Sequence, residues 1–456
     1  MSALEQAIPE GYKQTDVGVI PVDWNVYTLG ELSELTSSKR IFESDYVNDG
    51  VPFYRGQEIS SLLENKEIGN VIYISKRKYS ELKSRYGAPK PGEILITAVG
   101  TLGNALLIKS EEPFYFKDGN LIWARKIKNC SPQYLINQLN YNKKRVLDCA
   151  IGSSQKALTM VSLSPLAFAI PESSKEQTAI ANALSDVDAL LTELEKLIAK
   201  KQAIKTATMQ QLLTGKTRLP KFATYTKGEK QGQPKGTKPS ELGEIPEDWD
   251  VIDLGEYCSI TKLAGFEYSN YFNSYKDGGE IIVIRGTNIT HNVLNLDDIK
   301  TIPISTSKKL PRSQLKKGDL VFAYVGTIGP VYLIEENLKY HLGPNTAKIT
   351  CNSNLDENFL FSYFKSPLIR KEIEERISVG AQPSLSMGKI RSFKIILPSS
   401  KSEQAAIAEV LTSFEGEIQT LEQRLAKTRQ IKQGMMQELL TGRTRLPFDK
   451  AAQQGN

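Results

Sequence analysis

Two stretches of the chain carry apolar residues at alternating intervals of four and three. In the first they fall at Ile180, Leu184, Val187, Leu191, Leu194 and Ile198, and in the second at Ile407, Leu411, Phe414, Ile418, Leu421 and Leu425. The two series coincide at a constant offset of 227 positions. That spacing is the seam of a coiled coil, where a stripe repeating every 3.5 residues stays against a partner helix. Past Lys201 and Thr428 it weakens to a partial apolar face, with Ile204, Met209, Leu212 and Leu213 on one helix and Ile431, Met435, Leu439 and Leu440 on the other. Gly215 and Gly442 then read as helix stops, with Pro220 and Pro447 beyond. A helix of about 40 residues is about 60 Å long, and one with a single apolar stripe needs a partner. Its twin is the candidate.

Elsewhere the pattern changes to short β-branched and aromatic runs between Gly and Pro. Val71 to Ile74, Leu95 to Thr97, Ile281 to Ile284 and Lys394 to Leu397 predict strands, while Pro132 to Leu147 and Leu355 to Ile377 predict helices. The parts outside the long helices are therefore mixed α and β.

The whole pattern is written twice. Gly18-Val19-Ile20-Pro21-Val22-Asp23-Trp24 returns 225 positions later as Gly243-Glu244-Ile245-Pro246-Glu247-Asp248-Trp249, and both copies run on to Leu-Gly-Glu, at 29–31 and 254–256. Arg55-Gly56 matches Arg285-Gly286, and Val99-Gly100-Thr101-Leu102-Gly103 matches Val325-Gly326-Thr327-Ile328-Gly329. Glu176-Gln177 matches Glu403-Gln404, and Leu212 to Pro220 matches Leu439 to Pro447. A repeat this long is not a solenoid, whose period is about 20 to 50 residues. Between the matched blocks, Ser33 to Val51 is unrelated to Ser259 to Ile281, and Ser60 to Ala88 to Thr290 to Arg312. Framework is repeated while inserted surface differs, so two copies of one fold do similar jobs on different targets.

Each copy reads as a head and a helical tail: 1–171 and 172–220, then a Lys, Gly, Gln and Pro-rich linker at 221–242, then 243–398 and 399–447, with a tail at 448–456. Parallel helices would require the linker to return along a full helix length, at about 3.3 Å per residue. Antiparallel pairing needs only a short one. The expected fold is thus α+β, two similar mixed α/β heads separated by two long antiparallel coiled-coil helices, with a pseudo-two-fold internal repeat.

Composition narrows the class without naming a partner. Charged residues are 24% and the net charge is +6, which permits a nucleic-acid partner without demanding one. No run approaches the roughly 20 apolar residues of a membrane span, and Met1 to Thr15 lacks a basic segment followed by an apolar core. The expectation is a cytoplasmic protein with no membrane partner. Cys130, Cys149, Cys258 and Cys351 form no C-x-x-C pair, and with His291 and His341 they show no zinc-ligand spacing, so no metal site is expected. Enzymatic signals are missing too. There is no Pro-Pro dipeptide and hence no Asn/Asp-Pro-Pro-aromatic methyltransferase site. Gly215-Lys216-Thr217 ends a helix instead of following a strand, unlike a phosphate loop.

The doubled Gly-x-Ile-Pro-x-Asp-Trp, Glu-Gln-x-x-Ile-Ala and Gln-x-Leu-Leu-Thr-Gly-x-Thr-Arg-Leu-Pro motifs, in order and with coiled-coil tails between them, resemble the specificity subunit of type I restriction–modification systems over nearly the whole chain. The resemblance implies that each head is a target-recognition domain reading one half of a split double-stranded DNA sequence. It implies that the helices set the spacer and dock two methyltransferase (M) subunits, and that restriction (R) subunits join for ATP-dependent cleavage. The chain itself would hold no cofactor; methyl donor, ATP and Mg2+ would belong to the partners. A scaffold whose heads bind proteins and never DNA is the alternative.

Candidate contacts follow from residue chemistry. Lys76, Arg77, Lys78 and Arg85 in the first head, with Lys308, Lys309 and Arg312 in the second, are either phosphate-neutralising clusters or solvated surface. Arg55 and Gln57, and Arg285, Thr287 and Asn288, either meet base edges or form turns whose Arg makes a structural ion pair. The loops of Thr101 and Thr327 either bring backbone N–H groups to a phosphate or are tight hairpin turns. Gln155 and Gln382 follow Gly, Ser and Ala stretches in plausible contact loops. Trp24 and Trp249 are packing residues.

Overall fold

Ser174–Leu213 and Lys401–Leu440 are each one unbroken helix of 40 residues in the computed structural model, which describes residues 8–63, 66–153, 155–271, 278–378 and 383–447. Every residue of the two heptad series is buried or half-buried, Leu184 and Leu411 almost completely (0% and 1% exposed). The weaker continuation behaves differently. Met209, Leu212, Leu213, Leu439 and Leu440 enter cores, but the equivalent Ile204 and Ile431 remain exposed.

Both helices end as the glycines foretell. Gly215 and Gly442 adopt left-handed backbone, with φ of +69° and +72°. A Cβ there would lie 2.4 Å from a ring carbon of Pro246 and 2.5 Å from one of Pro21 respectively. Glycine is thus required twice over, by the turn and by the close approach of the Gly-x-Ile-Pro strand.

The chain forms two units, one of residues 1–195 with 424–456 and one of 196–423. Each unit therefore combines one head, the adjoining half of its own tail and a half of the other tail. Within the first unit Asp188 pairs with Lys432 and Glu195 with Arg429; within the second Lys201 pairs with Glu417 and Lys205 with Glu415. Partner numbers fall on one helix as they rise on the other, so the helices run antiparallel in both units.

The heads share a framework. In the first, Trp24–Thr28 pairs antiparallel with Ala167–Pro171, and a four-stranded antiparallel sheet runs in the order Glu34–Thr36, Leu121–Arg125, Ile94–Thr97, Ala105–Leu107. In the second, Trp249–Asp253 pairs with Lys394–Pro398, and the sheet order is Cys258–Lys262, Thr346–Cys351, Leu320–Ala323, Val331–Leu333. These sheets and the helix ends enclose the main core of each unit, centred on the fully buried Trp24 and Trp249. Smaller cores lie under the dissimilar segments, one around Phe53, Ile74 and Tyr115, another around Ile284, Val321 and Leu342.

Two expectations change in detail. The helices expected at 132–147 and 355–377 are each broken once. Pro132–Tyr141 gives way to Lys143–Asp148 at Asn142, and Glu357–Phe364 to Pro367–Arg376, where proline starts a new first turn. The linker is also more ordered than its composition suggests. Thr237–Ser240 forms an antiparallel hairpin with Gly243–Pro246, matching the hairpin of Tyr12–Thr15 with Gly18–Pro21. The second repeat's structure thus begins before residue 243. Among the described residues no helix is long and apolar enough to cross a membrane.

Candidate nucleic-acid interface

The repeated motifs fix each head to the helices and so position the loops. Gln177 accepts a hydrogen bond from the Ser131 N–H at 2.7 Å and donates to the carbonyls of Asn129 and Pro171. Gln404 does the same with the Asp356 N–H at 2.8 Å and the carbonyls of Asn354 and Pro398. One glutamine per head staples the helix start to the last strand and to the turn before an internal helix.

The preceding glutamate is buried and neutralised from the far helix end. Arg218 Nε and Nη2 donate to Glu403 at 2.6 and 2.7 Å, and its other face forks onto Asp248 at 2.8 and 3.2 Å. Arg445 makes the equivalent contacts to Glu176 and Asp23. The guanidinium carbons lie 5.3 Å from the ring of Trp249 and 6.0 Å from that of Trp24. Sequence reasoning quoted these residues as motifs without assigning them a role. Their doubling was the available signal.

On this framework three loops meet in each head. The Val99–Gly103 and Val325–Gly329 segments are hairpin connections, closed by Gly103 N–H to the Thr97 carbonyl and Gly329 N–H to that of Ala323. Thr101 and Thr327 are exposed on them. Beside the first loop lies the turn carrying exposed Gln155, where Ile151 and Ala157 exchange two hydrogen bonds and Leu158 donates to Ala98. Beside the second, Gly326 donates to Pro383 and Leu385 to Tyr324; Gln382 itself lies outside the described residues.

The Arg-Gly turns form the third element, and the structure puts their arginines to internal use. Arg55 pairs with Glu58, whose carboxylate also accepts the Arg55 N–H at 2.7 Å and is 3% exposed. Burial pushes the Glu58 carboxyl up, but the Arg55 side chain and backbone outweigh this and hold it below the usual range. In the second head Asn288 takes the place of Glu58. Its Oδ1 accepts from the Arg285 N–H and Nε, both at 3.2 Å, and its amide donates to the carbonyls of Asn295 and Asp298. Asn288 is 4% exposed with its hydrogen-bonding capacity filled, so in this structure it does not present itself to a base. Arg285 also pairs with Asp298 at 2.9 Å. Gln57 and Thr287, the residues after the glycines, are exposed.

The basic candidates lie on short helices. Lys76, Arg77 and Lys78 occupy the first turn of Lys76–Tyr86, where the helix dipole disfavours cations, and no acidic residue offsets them there. Lys76 and Arg77 are exposed; Lys78 reaches Asp45 at 3.2 Å, and exposed Arg85 pairs with Glu81 one turn back. Lys83 and Lys39 lie over the rings of Tyr79 and Tyr86. Lys308 and Lys309 end the helix Ile304–Lys309, and both are exposed, as is Arg312.

Comparison with known proteins places this arrangement. A family model described as the type I restriction modification DNA specificity domain matches residues 21–206 and again 246–430. The chain is 26% identical over 445 residues to the putative type I restriction enzyme MjaX specificity subunit of Methanocaldococcus jannaschii, covering 96% of this chain and 97% of that one. It is 23% identical to the EcoBI specificity subunit of Escherichia coli over 62% of this chain and 57% of the other. Its fold is similar to the crystal structure of a type I S subunit from M. genitalium, with a TM-score of 0.55 at 16% identity over 94% of this chain and 98% of that one.

Proposed function

The chain belongs to the type I restriction modification DNA specificity family, and from that premise we propose that each head reads one half of a split double-stranded DNA target. The paired helices dock two methyltransferase (M) subunits and set the spacing between the halves. Restriction (R) subunits join for ATP-dependent cleavage. The chain is non-catalytic by itself; the methyl donor, ATP and Mg2+ are held by the partners.

The observation that carries this reading is the division of each head into repeated framework and dissimilar insert. Identical staples at Gln177 and Gln404 hold heads whose faces share Thr101 and Thr327 but differ after the Arg-Gly turn, Gln57 against Thr287, and in the unrelated segments 60–88 and 290–312. Two fixed platforms with different surfaces suit a two-part target. Lys76 and Arg77, exposed in a first turn whose third cation, Lys78, already pairs with Asp45, support phosphate contact, because an anion there would relieve both charge and dipole. Lys308, Lys309 and Arg312 supply cations in the second head. On the helix part that belongs to the second unit, exposed Leu197 and Ile204 fall seven residues apart, an apolar pair suited to partner-subunit docking.

The test uses the full chain assembled with its methyltransferase partner. Affinity for duplex DNA, titrated with salt, should fall steeply, and methylated genomic DNA should show one split motif. Salt-insensitive binding with no motif would favour the protein-binding scaffold instead.

A further inference from the structure

Each repeated Gly-Thr-x-Gly loop is covered by an element of a different kind. In the first head it is the helix Gly56–Leu63. Gly56 backs onto Val99, where a Cβ would lie 3.8 Å from the carbonyl oxygen, and Ser60 Oγ lies 3.5 Å from the Asn104 amide just past the loop. In the second head it is a small hairpin, Ile289–Thr290 with Val293–Leu294. Asn292 Oδ1 accepts the Val331 N–H at 2.9 Å and so pins the hairpin tip to the strand that follows the loop. Helix and hairpin both run into the segments where the repeats share no sequence.

The hairpin tip is conformationally demanding. His291 and Asn292 both have left-handed backbone, with φ of +52° and +62°. Two such residues make the two-residue turn that matches strand twist. Glycine adopts it most easily, and asparagine and histidine are among the residues enriched there. Below the tip opens a cavity of about 760 Å³ lined by Thr287, Thr290, His291, Thr327, Ile328 and Arg370, among others. Three hydroxyls and an imidazole offer both donors and acceptors, and Ile328 offers an apolar surface. Base edges require that mixture, together with contact for a thymine methyl. Arg370, whose guanidinium can pair with a guanine edge, also lines the cavity with Lys365 and Glu374, and Lys365 is paired with Glu415. The clustered cations suited to phosphates, Lys308, Lys309 and Arg312, are not part of this lining.

We infer that the hairpin tip at His291 is the base-reading element of the second head, and that Gln57 on the opening turn of Gly56–Leu63 is its counterpart in the first. Arg55 and Arg285 are committed to Glu58 and to Asn288 with Asp298, so they brace these elements. A helix in one head and a hairpin in the other, on the same loop, make the two half-sites dissimilar. The inference rests on the half-site reading above and assigns it to particular residues.

The experiment uses the full chain with its methyltransferase partner and maps the methylated motif in genomic DNA for wild type, His291→Ala, Glu335→Gln and Gln57→Ala. Glu335 is exposed past the end of Val331–Leu333 that lies away from the loop, so Glu335→Gln serves as the folded control, with the wild-type motif expected. His291→Ala should relax one position in one half, lowering discrimination there about 10- to 100-fold, and leave the other half and the gap unchanged. Gln57→Ala should do the same in the opposite half. A wild-type motif from His291→Ala, or a change in both halves, overturns the assignment. Should His291→Ala give no methylation, binding to a duplex with the wild-type motif decides: lost discrimination supports it, retained discrimination overturns it. A wild-type complex with no split motif would instead remove the half-site reading itself.

Discussion

Arg218 and Glu403 stand 185 positions apart in sequence and meet in a two-pronged ion pair at 2.6 and 2.7 Å. Glu403 is 1% exposed. Burial raises its carboxyl above the usual range even with Arg218 beside it, so the carboxylate depends on that partner. Arg218 comes from the end of one helix, Glu403 from the start of the other, and Asp248 from the head beside them. Arg445, Glu176 and Asp23 repeat the arrangement.

Removing the arginine should be costly, because it strands a buried carboxylate. Arg218→Ala is expected to lower unfolding free energy by about 3 to 5 kcal/mol, and Arg445→Ala to act similarly on the first unit. Denaturant unfolding checks this; a loss below about 1 kcal/mol would mean that the network is ornamental.

The helix stops make a second matched pair of predictions. Gly215→Ala and Gly442→Ala each place a methyl about 2.5 Å from a proline ring in left-handed backbone. Each should cost about 2 kcal/mol or more, combining the backbone penalty of about 1 to 2 kcal/mol with the clash. Replacement at Gly416 or Gly434, where a Cβ meets nothing within 4 Å, should be neutral or stabilising by propensity. Thermal melts of the four variants would expose an error if all behaved alike.

Acid should loosen the first head through Glu58. Its folded carboxyl lies below the ordinary value, held by Arg55 against burial. Its contribution is therefore fully present above the ordinary glutamate pKa of about 4.3 and is lost as pH falls through the lower folded value. Glu58→Gln should lower stability at neutral pH and flatten that part of the acid profile. An unchanged profile by urea unfolding across pH would reject the pairing as its source.

Exchanging residues 33–171 for the matching part of a relative should alter one half of the methylated motif only. Inserting one heptad after Leu194 and one after Leu421 should add about 10 Å of helix, or about three base pairs, to the gap. Motif mapping reads both; a change in both halves after the exchange would refute one head for one half.

Legibility followed the range of the forces involved. The heptads at Ile180 to Ile198 and Ile407 to Leu425 were plain because burial along a seam imposes a period on neighbouring residues. The family was readable from the same repeats. What the motifs do was not, since Arg218 finds Asp248 and Glu403 at distances no local spacing encodes. Arg55 and Arg285 were ambiguous in sequence, although an acceptor three residues on, Glu58 or Asn288, was a usable sign of a capped turn. The hairpin at Ile289–Leu294 escaped notice because its strands are two residues long, too short for alternation to register. The strand Thr237–Ser240 was hidden by Lys238 and Pro239, which suit an edge as well as a linker.

The reciprocal closure of the units has a consequence for how the protein is made. The first unit holds residues 1–195 but also 424–456, including Arg445. It cannot close until synthesis has passed Arg445, after every residue of the second unit, whereas vectorial synthesis ordinarily lets earlier-translated domains finish early. A chain cut anywhere between 196 and 444 would leave Asp23 and Glu176 without their clamp, so a lesion in the later repeat is felt in the earlier one.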